Sequence, residues 1–388
     1  MPFLIIMASF AFQKRKNAFI YSFYVNNKAI SISFIVYLAV SLLSLVYSSN
    51  PLPGLGKLIY YFVTGFFFCC IVYDNMGCEE NVRLIVITFQ LVAIVLALHG
   101  ILLRLFAIDP LMMSSYTSIG INDQMNRVTS TLGNSIPYGT LLVMLIPFFS
   151  YDYPKGNTTF PFIARYIGIV LVSCAVLLSG SRGSYVGLLI VAIFFLRIHF
   201  LKKKSMSSFV VKLLFMFAFI FGFITLSYDK QKYAVKDYLL SRIPTIEDVD
   251  GEAIGGRIDR YLFAREVIKD KPLLGLGFGN VQSNFDRYQI NGRYPIGNWA
   301  KTTENQFLMV LCETGILGLL AYLFFLFFLG RKVLKKIFQN VGLADACLIS
   351  FVALLVMMTS WDALNNPSIR IYFFGIIGVA MGLRRFSS

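Results

Sequence analysis

A few arginines and one glutamate stand where apolar runs of this chain begin or end, and their types suit the binding of an anionic phosphate near a candidate base. Arg182 lies in Ser179-Gly180-Ser181-Arg182-Gly183, a link of almost no length between two apolar runs. A guanidinium there sits beside the free N–H groups and positive dipole end of a new helix, so an anionic phosphate meets two kinds of partner. The plainer alternative is an arginine reaching lipid headgroups. Arg257 opens a second cationic run, Gly255-Gly256-Arg257-Ile258-Asp259-Arg260, with Arg265 beyond it. Ile258, Tyr261, Leu262 and Ile268 recur at helical spacing and predict an amphipathic helix to about Asp270, lying on the membrane by that face. Asp259, Glu266 and Asp270 would suit an ordinary solvated face for its charges. Arg127, in Asn126-Arg127-Val128-Thr129-Ser130-Thr131-Leu132-Gly133-Asn134, is a further cation ahead of an apolar run. Arg127, Arg182 and Arg257 on one site would suit a diphosphate.

The carboxylates divide differently. In Thr302-Thr303-Glu304-Asn305, Thr303 reads as an N-cap and Glu304 as a first-turn acid that complements the helix dipole. The sharper reading makes Glu304 a base at the membrane boundary, facing a site shared with Arg182 and Arg257. Glu313 lies roughly 180° round the helix from it. It is deep in an apolar span, where an ionisable group is expensive and implies a buried partner or a function. The two are therefore not a carboxylate pair. Pro272-Leu273-Leu274-Gly275-Leu276-Gly277-Phe278-Gly279-Asn280 looks like a phosphate-binding glycine loop only superficially. No strand precedes it and no Walker lysine follows, so tight turns that return the chain to the membrane are expected.

Membrane helices must position these residues. At 388 residues, 57% hydrophobic and 14% charged, with mean hydropathy +0.70, the chain is no water-soluble globule with one core. The expected fold is all-α and polytopic, with spans near 29–49, 58–74, 83–107, 134–151, 163–179, 183–200, 209–228, 305–329, 343–361 and 368–383. Residues 1–12 are a candidate partial span or interfacial helix. Residues 229–304 are the one long polar stretch, with 11 of the 20 acidic residues and 12 Lys and Arg. Three regions follow: a bundle over 1–228, a large loop over 229–304 and a second bundle over 305–388.

The net charge of +15 sits mostly in short clusters between apolar spans, without a basic stripe or aromatic-interleaved groove, which argues against a nucleic-acid partner. Lys14, Arg15, Lys16 and Lys28, then Lys202, Lys203 and Lys204, then Arg331, Lys332, Lys335 and Lys336, and finally Arg384 and Arg385 all thread to one side. The positive-inside rule makes that side and both termini cytoplasmic, and the long loop extracytoplasmic. Five of the six cysteines fall inside apolar spans and none in the long loop, so no disulfide or metal framework is expected. A structural or interfacial role is expected for His99 and His199.

Taken together, S-G-S-R-G opening a span, G-G-R ahead of D-K-P-L-L-G-L-G-F-G-N, and then E-N-Q-F-L-M-V-L-C-E-T-G-I-L-G-L-L-A-Y-L resemble the O-antigen ligase and polymerase family. The resemblance covers residues 126–323. It implies a membrane glycosyltransferase of the glycosyltransferase C type in the bacterial cytoplasmic membrane, using neither metal nor nucleotide cofactor. The donor it implies is an oligosaccharide on undecaprenyl pyrophosphate. Arg182 and Arg257 match the family's arginines and would neutralise the leaving diphosphate. Arg127, Arg260, Arg265, Asn305 and Glu313 are the candidates for contacts to substrate. Where ligases of the family carry His-Asn, this chain has Glu304-Asn305, which favours a repeat-unit polymerase over a ligase. A flippase or transporter for lipid-linked sugar is the reading from another class; it lacks the expected internal repeat. A flippase and a chain-length regulator are partners by analogy alone.

Overall fold

A computed structural model describes residues 18–106, 121–122, 127–151, 162–201, 252–288, 302–337 and 342–383. Its helices are α1 (Ala18–Asn26), α2 (Lys28–Val46), α3 (Pro51–Asn75), α4 (Glu79–Phe106), α5 (Ser135–Leu145), α6 (Phe162–Leu178), α7 (Arg182–Leu201), α8 (Glu252–Asp270), α9 (Gln306–Ile337), α10 (Gly342–Met357) and α11 (Pro367–Gly382). A two-residue antiparallel ladder, β1 (Ile121–Asn122) with β2 (Arg127–Val128), is the strand pairing among the described residues. The protein is an all-α polytopic membrane protein. Lys28–Val46, Pro51–Asn75, Glu79–Leu103 and Gln306–Leu334 are each long and apolar enough to cross a bilayer, and α5, α6, α7, α10 and α11 are shorter apolar helices. The expected segments at 1–12 and 209–228 lie outside the described residues.

The chain divides into two compact units, one gathering α1, α2, α3, α8, α9 and α11, the other most of α4 with α5, α6, α7 and α10. In the second unit α5 is almost wholly buried. Small residues allow that approach: a Cβ on Gly139 would stand 2.4 Å from Ser184 Oγ. Ser350 Oγ donates to Met144 O at 2.6 Å and Gln90 Nε2 to Phe148 O at 2.9 Å, so these two polar side chains inside the bundle are satisfied by backbone. His99 is buried with Nδ1 2.8 Å from Ser130 Oγ, a structural contact as expected.

In the first unit α2 lies along α9, with the Phe34 and Phe325 rings 5.4 Å apart and those of Tyr37 and Tyr322 5.3 Å apart. Lys332, near the end of α9, donates to the Asn26 carbonyl and the Asn27 side chain just ahead of α2. The basic clusters around Lys28 and Arg331 therefore meet at one end. Helix α9 is not continuous. At Gly315 the backbone takes φ 65°, ψ −168°, a region open essentially to glycine alone.

A broken helix leaves carbonyls orphaned on one side of the break and N–H groups on the other. The glycine loop at 272–280 satisfies both sets. Leu276 N–H donates to Cys312 O and Gly277 N–H to Glu313 O, both at 2.9 Å. In return Pro272 O accepts from Ile316 N–H at 2.9 Å and Leu273 O from Leu317 N–H at 3.4 Å. The loop's remaining donors are also used. Gly275 N–H goes to Lys271 O, Phe278 N–H to Ser44 Oγ, Gly279 N–H to the Glu313 carboxylate and Asn280 N–H to Gly277 O. No N–H between 275 and 280 is left for a phosphate. The loop returns the chain to the membrane domain, as expected, by plugging the break.

Helix α8 lies over this plug. It buries Phe263, Ala264 and Val267 against Leu276, Val281, Phe285, Met309 and Cys312. The expected apolar face is therefore corrected: Tyr261 is 50% exposed, and Leu262 and Ile268 only flank the contact. The stacked rings of Phe263 and Phe285, 4.5 Å apart, set the phase of the helix, and Phe285 comes from beyond the plug.

Alanine at Gly315 would place its Cβ 2.2 Å from Leu273 C and O, in a backbone region closed to it. We expect Gly315→Ala to destabilise by about 3 kcal/mol or more, seen as loss of monodisperse protein in detergent. Gly56→Ala, where the new methyl meets nothing within 4 Å, should be tolerated in the same assay.

Candidate active site

The site is built at the N-terminal end of α9. Asn305 caps the helix: its Oδ1 accepts from Phe307 N–H at 3.0 Å and Leu308 N–H at 3.1 Å, while its Nδ2 donates to Thr359 O at 3.1 Å. Thr303 is therefore not the cap. Its hydroxyl donates to Asn305 O at 3.0 Å and braces the approach. Glu304, ahead of the cap and outside the first turn, has φ 48°, a left-handed conformation that Ser130 alone shares among the described non-glycine residues. Such a backbone persists only where its surroundings enforce it. Here Gln306 N–H donates to Met358 O and Gln306 Oε1 accepts from Leu364 N–H, both at 2.9 Å, anchoring the chain on either side of residues 359–363.

Held this way, Glu304 Oε1 stands 2.6 Å from Arg260 Nη1 on α8, with side-chain exposures of 29% and 13%. The pair is sheltered but open to an approaching group. Asp362 completes the arrangement. Its Oδ2 accepts from Asn365 Nδ2 at 2.7 Å. Burial pushes its carboxyl above the ordinary carboxylate range and the Asn365 bond opposes that; the Glu304 charge raises it further and the Arg260 charge lowers it. Glu304, Arg260 and Asp362 thus act on one another electrostatically. A carboxylate held by a fixed guanidinium is positioned to meet a group that approaches this end of the helix. Among the described residues, no group of three His, Cys, Asp or Glu side chains is placed to hold a metal.

The structure brings together Arg260, Glu304 and Asn305 of the expected residues. Arg257 lies one turn before Arg260 on α8 and Arg127 lies on β2; both side chains fall outside the described residues. Arg265 is exposed on α8. Arg182 is the exposed first residue of α7 in the other unit, following a reversal in which Gly180 has φ 64° and Ser181 Oγ accepts from Ser184 N–H. Glu313 is buried at the helix break, bound to Gly279 N–H.

Residues 167–323 match the O-antigen ligase family. Over that segment the chain is similar to this family. The likeness points to a membrane enzyme of glycosyltransferase type. The matched segment holds Arg182, Arg257, Arg260, Arg265, Glu304, Asn305 and Glu313, and leaves Arg127 and Asp362 outside. No curated protein matches the chain.

Sequence reasoning passed over two residues of this protein. Asp362 sits in the polar run between two apolar spans, where an acid flanked by Trp361 and Asn365 was a usable signal. Arg370 is the lone cation of α11, and the expense of an ionisable group in an apolar span, which singled out Glu313, applies to it equally.

The Arg260–Glu304 pair contributes about 1 kcal/mol to stability. Arg260→Ala and Glu304→Gln should each lower the melting temperature slightly, and the double variant should be no less stable than the weaker single one. For Asp362 the folded pKa is raised above its unfolded value, so its charge is a penalty that grows as pH rises from about 3.9 toward the folded value and is constant above it. The melting temperature of Asp362→Asn minus that of the parent should therefore be larger at neutral pH than at about pH 4.

Proposed function

We propose that this protein is a repeat-unit polymerase. It transfers an oligosaccharide from undecaprenyl pyrophosphate to a growing lipid-linked chain at the outer face of the bacterial cytoplasmic membrane. The observation that carries this reading is Glu304, a carboxylate in a strained backbone at the membrane boundary, 2.6 Å from Arg260. The acceptor hydroxyl attacks the anomeric carbon, a carbon–oxygen bond forms, and the bond from that carbon to the lipid diphosphate breaks. Glu304 takes the hydroxyl proton and later releases it to water. Arg182 and Arg257 neutralise the charge that develops on the departing diphosphate. Arg260 and Asp362 hold Glu304 in place and set its surroundings, and Arg127, Arg265, Asn305 and Glu313 remain candidates around the substrate. A flippase supplies the donor, and a chain-length regulator is the accompanying partner.

The second reading is a ligase, transfer of finished glycan to lipid A-core or another acceptor, and the matched family accommodates both. The presence of Glu304-Asn305 in place of His-Asn weighs for polymerisation. The broken helix and buried Glu313 of α9 belong to features that transporters also use. Here both the break and the carboxylate are engaged by the protein's own backbone.

Surface polysaccharide from a strain lacking this protein should collapse from a ladder to a single repeat unit on its normal acceptor. Glu304→Gln, supplied in the same strain at normal protein level, should restore less than about one hundredth of the polymer. A bare acceptor with long polymer retained on the carrier lipid would instead identify a ligase.

A further inference from the structure

We propose that Arg370, with Tyr60 and Tyr61, forms an anion site for a phosphoryl group delivered at the membrane boundary. Arg370 is 3% exposed. Its direct partners are neutral: Nη1 donates to Leu364 O at 2.9 Å, and the guanidinium lies 4.0 Å from the Tyr61 ring centre and 5.1 Å from that of Tyr60. Among the described residues, no carboxylate stands within ion-pair distance of it. The acids beyond these partners are Asp362 and Glu313, whose charges reach Tyr61; Asp362 is held by Asn365 and Glu313 by the Gly279 N–H. A buried charge is normally matched by an opposite one.

The position of this cation deepens the imbalance. Arg370 stands in the first turn of α11, whose cap is Asn366, whose first residue is Pro367 and whose first turn holds no acid. A cation at a helix N-terminus opposes the dipole, whereas an anion there is favoured by it. Guanidinium and dipole thus superpose two positive features in a buried place, and one anion would relieve both. The walls suit a guest. Tyr60 and Tyr61 lie in the π-helical turn at Ile59–Val63, a distortion common at functional sites, and Tyr60 is 45% exposed, leaving that wall open.

The site adjoins the Glu304 machinery through one residue. Leu364 donates its N–H to Gln306, next to the α9 cap, and accepts from Arg370 with its carbonyl. A planar fork of donors in that position matches phosphate oxygens. The inference rests on the polymerase reading only for the carrier of the phosphoryl group; the charge argument stands without it.

The test measures binding of farnesyl diphosphate, inorganic pyrophosphate and phosphatidylglycerol in nanodiscs to the purified protein. Farnesyl diphosphate should bind the parent and Glu304→Gln alike, and about tenfold more weakly to Arg370→Lys, which keeps the charge but loses the fork. The same tenfold loss with inorganic pyrophosphate assigns the site to a free phosphate, and with phosphatidylglycerol to a headgroup; either supports phosphoryl recognition. Unchanged binding of all three probes by Arg370→Lys overturns it. Should Arg370→Lys fail to fold, Tyr60→Leu on the open wall should weaken binding at least threefold, and no change there overturns the proposal too. Weakened binding with an active Glu304→Gln would sink the polymerase reading alone; unchanged binding with an inactive Glu304→Gln would sink only this inference.

Discussion

An α-helix interrupted inside a membrane domain must find partners for the backbone groups it releases, because hydrocarbon supplies none. Helix α9 meets that requirement with its own upstream loop. Residues 272–280 give N–H groups to Cys312 and Glu313 and carbonyls to Ile316 and Leu317, so the break at Gly315 is closed on both sides. The three glycines of the loop have positive φ and lie where added Cβ atoms would collide with α9, Ser48 or Lys57. Their spacing, which looks like a phosphate loop, is instead the imprint of one backbone lying against another.

This plug links the polar segment to the membrane helices. Loop 272–280 follows directly on α8, and α8 packs through Phe263, Ala264 and Val267 onto both the plug and the start of α9. Arg260 therefore comes to Glu304 from a helix fixed less than one turn away by Phe263. Glu304 is in turn set by the Asn305 cap and by the bonds of Gln306 to Met358 and Leu364. The ion pair, the left-handed residue and the helix break are one connected arrangement. None of its parts is a strong interaction alone; the geometry comes from backbone hydrogen bonds that have no alternative partner.

Charge is distributed unevenly over this arrangement. Around the N-terminal end of α9 two carboxylates share the influence of one guanidinium, whereas Arg370 directly touches neutral groups. Both patterns are costly in a poorly solvated place, and both adjoin the turn that joins α10 to α11. A purely structural turn at that depth would be expected to avoid them.

Composition and apolar periodicity determined the class of this protein and, within a few residues, the start of most described helices, because a bilayer leaves few ways to satisfy a backbone; α1 was not expected, and α3 begins at Pro51 in a stretch read as a loop. Glu304, Arg260 and Asn305 were legible as residues because polar groups at span boundaries are few and conspicuous. Their relations were not. The true cap moved from Thr303 to Asn305, and the buried face of α8 fell on Phe263 rather than Tyr261. In each case the deciding partner lies far along the chain: Thr359 for the cap, Phe285 for the helix. Asp362 and Arg370 gained meaning only when the turn between α10 and α11 was brought against α9 and α3. Sequence spacing records what one helix does with its neighbours four residues away. Which charge meets which across tens of residues is decided by the packing of helices, and only tertiary structure carries that information.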